Sequence, residues 1–119
     1  MPGWLSRLGR KRPQSKADLD RLTLRELANA GGDLAKSTET IHYLYLPDES
    51  QARAAEMELL PAGYHVKVRP AAQGTEWLAL ATIDVVPTED NIARIRNSFE
   101  TIAERFGGTY DGWEAAVTK

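Results

Sequence analysis

A chain of 119 residues, 42% hydrophobic and 27% charged, has room for one globular domain and not for two ordinary ones. It contains no cysteine, which excludes disulfides, thiolate-bound zinc and thiol catalysis, and no run of about 18 apolar residues, which excludes a membrane-spanning helix. The formal charge of -2 is uneven: residues 1–16 hold five cations and no acid, which leaves -7 on the remaining 103, a body that repels phosphate backbones and attracts basic polypeptide.

Residues 1–14 form a basic leader with Trp4, Leu5 and Leu8, too poor in apolar residues for a secretory signal. It reads as a flexible solubilising arm; a membrane-surface or nucleic-acid-touching arm is the alternative. Residues 15–119 read as a single domain. Ser15 with Asp18 resembles a capping box and opens a helix over 16–30, with Leu19, Leu22, Leu24, Leu27 and Ala28 at roughly helical spacing and Gly31-Gly32 as its stop. Thr38–Leu46 is rich in threonine, isoleucine and tyrosine and predicts a strand that Pro47 ends. Asp48 with Gln51 starts a second helix, and Ala52, Ala55, Met57, Leu59 and Leu60 give it an apolar side before Pro61 and Gly63.

Tyr64–Arg69 alternates as a short strand, Pro70–Gly74 is a turn, and Trp77–Val86 is apolar enough for a central strand. The clearest element follows. Ile92, Ile95, Phe99, Ile102, Ala103 and Phe106 recur at helical spacing, and Arg94, Arg96, Glu100, Glu104 and Arg105 fall outside that stripe. Thr88 is its N-cap, Glu89 and Asp90 complement the dipole, and Gly107-Gly108 stops it. A strand over Thr109–Val117 closes the chain. The order is an N-terminal helix and then β-α-β-β-α-β, which predicts an α+β fold with a ferredoxin-like antiparallel sheet.

No reactive constellation stands out. His42 and His65 lie in predicted strands without acidic neighbours at a motif spacing, and read as ordinary strand histidines. Asp48-Glu49 and Glu89-Asp90 sit at helix starts, where the dipole explains them. The glycine pairs follow helices, whereas a phosphate loop precedes one. No catalytic, metal or cofactor site is expected, and the chain does not read as an enzyme. Tyr43 and Tyr45 share one strand face, and Tyr110 is a candidate for the same face. That pattern would suit stacking of single-stranded RNA, but the third strand lacks the basic-Gly-aromatic pattern of RNA recognition motifs and the body is acidic, so direct RNA binding is disfavoured. Tyr110-Asp111-Gly112-Trp113 has two readings. Gly112 is a bulge with Trp113 on the core, which the physics favours, or the aromatics beside the glycine anchor a partner.

In chain order, Gly31 to Asp33 after a leucine-bearing helix, the strand Ile41 to Tyr45, Gly63 to Val66 after a helix, a hydrophobic strand with Asp84, Ile102 to Phe106, and then Tyr110 to Trp113 resemble the RraB-type regulators of ribonuclease E activity. The resemblance spans about residues 16–117. It implies a ferredoxin-like α+β domain and a non-enzymatic, cytoplasmic inhibitor of ribonuclease E whose acidic body suits a basic segment of that enzyme. Partner contacts are then expected on acidic groups of the helix-bearing surfaces, with Tyr110 and Trp113 as anchors, and at Asp111, Gly112, Tyr43 and Tyr45, with no cofactor. The sequence departs from the best-known members in having a basic leader and no strongly acidic tail before Thr118-Lys119. The rival expectations are a single-stranded RNA-binding domain and a small-ligand or dimerisation module, so a homodimer is compatible with this reading.

Overall fold

The computed structural model describes residues 15–117, so the basic leader lies outside the described residues. The elements are α1 (Lys16–Asn29), β1 (Thr38–Leu46), α2 (Glu49–Leu59), a 3-10 turn (Leu60–Ala62), β2 (His65–Pro70), β3 (Trp77–Val85), α3 (Glu89–Phe106) and β4 (Thr109–Ala115). The helix starts follow from local chemistry. The side chains of Ser15, Asp48 and Thr88 accept from the backbone N–H groups of Asp18, Gln51 and Asn91, satisfying donors that a helix leaves unpaired.

The four strands form one antiparallel sheet in the order β2-β3-β1-β4. Each helical crossover joins two strands that are separated by a third, the split βαβ arrangement. The fold is therefore α+β, with α2 and α3 on one face of the sheet. Leu44, Leu46, Ala79, Ala81 and Tyr110 of the sheet pack against Ala52, Ala55 and Leu59 of α2 and Phe99, Ile102 and Ala103 of α3. Phe99 lies at the centre with no exposed surface, and removing its ring would cost about 3–5 kcal/mol. Gly108 lets the chain turn tightly onto β1, because a Cβ there would collide with the Tyr45 carbonyl.

Several expectations shift. In α1 the buried stripe is Asp20, Leu24 and Leu27, while Leu19 and Leu22 are exposed. In α2, Ala52, Ala55 and Leu59 are buried and fall at helical spacing. Met57 is two residues from Ala55, about 200° around the helix, and projects into solvent at 70% exposure; Leu60 is exposed too. Tyr64 precedes β2 rather than starting it, buried, with its N–H on the Leu59 carbonyl. β3 and β4 end one and two residues earlier than the sequence pattern predicts, at Val85 and Ala115.

Candidate docking face and the buried network behind it

Pleating divides β1 into two faces. Thr40, His42, Leu44 and Leu46 point at the helices and are buried, while Ile41, Tyr43 and Tyr45 are half-buried on the other side. The second face is covered by no described element. Register places Lys67, Leu80 and Tyr43 in one row across β2, β3 and β1, and Arg69, Leu78 and Tyr45 in the next.

Toward the other end of the strands, Ile41 pairs with Glu114 and Glu39 lies opposite Asp84. Two carboxylates directly across a ladder repel. Neither forms an ion pair with a described residue. Tyr43 donates its phenolic O–H to Glu114 Oε2 at 2.6 Å. That hydrogen bond holds the phenol above its ordinary pKa, and Arg69 acts on the same group in the opposite sense.

The Tyr-Asp-Gly-Trp stretch is where β4 changes phase. Tyr110 pairs with Leu44 and Trp113 with His42, so three steps on β4 match two on β1. The extra residue is absorbed at a bulge beside Gly112, whose φ of 97° is the left-handed conformation glycine takes without strain. Without it, residues three apart on a strand would face opposite ways. With it, Tyr110 and Trp113 both face the core, at 7% and 9% exposure. Tyr110 therefore does not share the face of Tyr43 and Tyr45, as its pairing with core-facing Leu44 dictates, and the two buried rings leave little surface for a partner. Asp111 is exposed, and Gly112 is half-buried.

Behind the bulge lies a polar network that sequence reading missed. Asp20 of α1 takes a bidentate ion pair from Arg96 of α3, at 2.9 Å from Nε and 2.8 Å from Nη2, and accepts the Trp113 indole N–H at 3.0 Å. The hydrogen bonding that Arg96 donates to Asp20 is the chief cause holding its guanidinium above its ordinary pKa. Arg96 also reaches Glu100 at 3.2 Å and lies 4.9 Å over the Tyr110 ring. Its side chain is only 12% exposed, so it belongs to the buried side of α3 and not outside it.

Tyr110 in turn touches His42, which stacks on Phe99 at 5.0 Å. Thr40 Oγ1 donates to the Ile83 carbonyl at 3.0 Å, so its oxygen must accept from His42 Nε2 at 2.9 Å. His42 Nδ1 is then the acceptor for the Tyr110 O–H at 2.9 Å. Burial lowers the His42 pKa to about 4 and pushes the Tyr110 phenol up. The imidazole is thus a neutral core group, in keeping with a strand histidine; His65 is exposed on β2.

Among the described residues no group of three or more His, Cys, Asp or Glu side chains could hold a metal, and no helix is long and apolar enough to cross a membrane. A family model described as RraB, regulator of ribonuclease activity B, matches residues 17–115. No curated protein matches the chain.

Proposed function

This chain belongs to the RraB family, described as regulator of ribonuclease activity B, and from that premise we propose that it is a non-catalytic cytoplasmic protein that binds ribonuclease E, or another basic RNA-processing protein, and lowers RNA cleavage. The observation that carries the reading beyond family membership is the acidic end of the uncovered sheet face. Glu39 and Asp84 stand opposite one another, with Glu114 on the neighbouring strand and no cation paired to Glu39 or Asp84 among the described residues. An arginine-bearing segment relieves that repulsion, and its guanidinium planes can lie on Tyr43 and Tyr45. Asp111 adds a carboxylate at the rim. Gly112, Tyr110 and Trp113 act indirectly, by fixing the bulge that aims Asp111 and Glu114.

The test is capture of purified ribonuclease E by the full chain at low and high salt, with cleavage of an RNA substrate followed in parallel. Salt-sensitive capture with slower cleavage is expected, and Glu39→Lys with Asp84→Lys should abolish both. Capture that ignores salt and these substitutions rejects the surface. A second reading, single-stranded RNA on the same face, has Tyr43 and Tyr45 beside Lys67 and Arg69 in its favour and three carboxylates against it. A gel shift with RNA alone decides between them.

A further inference from the structure

The uncovered sheet face carries its charges at opposite ends of a diagonal. Lys67 and Arg69 are exposed on edge strand β2, in the rows of Tyr43 and Tyr45. Glu39 and Asp84 face each other near the far end of β1 and β3, beside Glu114. The row of Lys67 is four steps along the strands from the Glu39–Asp84 row and that of Arg69 is six, so the two ends are roughly 13 to 20 Å apart at about 3.3 Å per residue. That exceeds the screening length of about 8 Å at physiological salt, so the charges of one chain cannot neutralise each other. None of these four residues forms an ion pair with another described residue.

A face with one basic end, one acidic end and the half-buried Leu80 and Thr82 of β3 between them is complementary to itself. A two-fold axis lying between two such faces, perpendicular to the diagonal, sets each basic end on the other copy's acidic end and centre on centre. We propose that the occupant of this face is a second copy of the chain, in a two-fold dimer that pairs Lys67 and Arg69 of each copy with Glu39 and Asp84 of the other around a centre at Leu80 and Thr82 of β3. Strand spacing of about 4.8 Å over four strands gives a patch of roughly 400 Å² in projection, small beside the roughly 800 Å² per partner of a standard stable interface. The dimer is therefore weak, reversible and salt-sensitive. It occupies the acidic end invoked for the ribonuclease, but it rests only on the charge layout and not on that reading.

Sedimentation of the full chain alone, from micromolar to millimolar and at two salt concentrations, tests it without any ribonuclease present. The expected result is a monomer–dimer equilibrium whose Kd rises about tenfold or more at high salt. Lys67→Glu with Arg69→Glu should be monomeric, as should Glu39→Lys with Asp84→Lys, and an equimolar mixture of the two should regain the dimer mass. All four positions are exposed, and circular dichroism checks that both variants fold. If a variant does not fold, the salt dependence of the unmodified chain still decides. A chain monomeric throughout, a dimer indifferent to salt, or folded variants that fail to complement each overturn the proposal.

Discussion

Asp20 of α1 accepts the indole N–H of Trp113 of β4 at 3.0 Å, across 93 positions of sequence, and the same carboxylate holds Arg96 of α3. One buried anion thus ties the first helix, the last helix and the last strand. Few apolar groups support α1 there: Leu24 packs with Ile92 and Trp113 in a small cluster of its own.

Asp20→Ala should therefore be severe. It leaves a largely buried guanidinium and an indole N–H without their acceptor, and the expected loss is about 3–5 kcal/mol in urea unfolding. Asp20→Asn keeps an oxygen for Trp113 and should lose less. Replacing both charges with Asp20→Leu and Arg96→Met should recover much of the loss, since no ion is then stranded.

Gly112→Ala should cost about 1–2 kcal/mol, because its φ of 97° is strained for a residue with a Cβ even though no atom lies within 4 Å of the added carbon. Loss of the bulge would also turn Trp113 outward. A red shift of tryptophan fluorescence, with Trp4 and Trp77 replaced by Phe so that Trp113 alone emits, reads that directly.

Stability should fall in mild acid through His42. Its folded pKa of about 4 lies below its ordinary value of 6.5, so between them the unfolded chain binds the extra proton. The contribution is full above the ordinary value and is lost as pH drops from about 6.5 toward 4, by roughly 3 kcal/mol in all. Urea midpoints at neutral pH and near 4.5 measure it. His42→Gln should flatten the dependence that remains after the carboxylates common to both proteins are subtracted.

If the acidic end serves both the second copy and the ribonuclease, Lys67→Glu with Arg69→Glu should bind the ribonuclease more tightly than the unmodified chain, with an advantage that grows with chain concentration, because removal of self-competition adds to the effect of the extra negative charge only where the unmodified chain is dimeric. Equal or weaker affinity, measured at chain concentrations where the unmodified protein is dimeric, would separate the two surfaces.

Much of this architecture was legible because it is written locally. Thr88, the stripe from Ile92 to Phe106 and Gly107-Gly108 fix α3 within twenty or so residues, and Gly112 between two aromatics marks the bulge. The Asp20–Arg96–Trp113 network was not read, because its members come together only through tertiary packing. A signal was nevertheless present. Asp20 precedes Leu24 and Leu27 by four and seven positions, and Arg96 lies between Ile92 and Phe99 at four and three. Two opposite charges, each on the apolar stripe of a different helix, must find each other or be left buried alone. The open face was illegible for a different reason: β1 and β3 are apolar on both sides, so only the register shows which side the helices cover.

The hydrogen bonds from Tyr110 through His42 and Thr40 run one way and stop at the Ile83 amide oxygen. An amide oxygen takes no proton onward at neutral pH, so the line is a cul-de-sac. His42 is held as a single tautomer with no exchange route through its partners. Its ring fastens β1 and β4 of the sheet to α3 like a dowel.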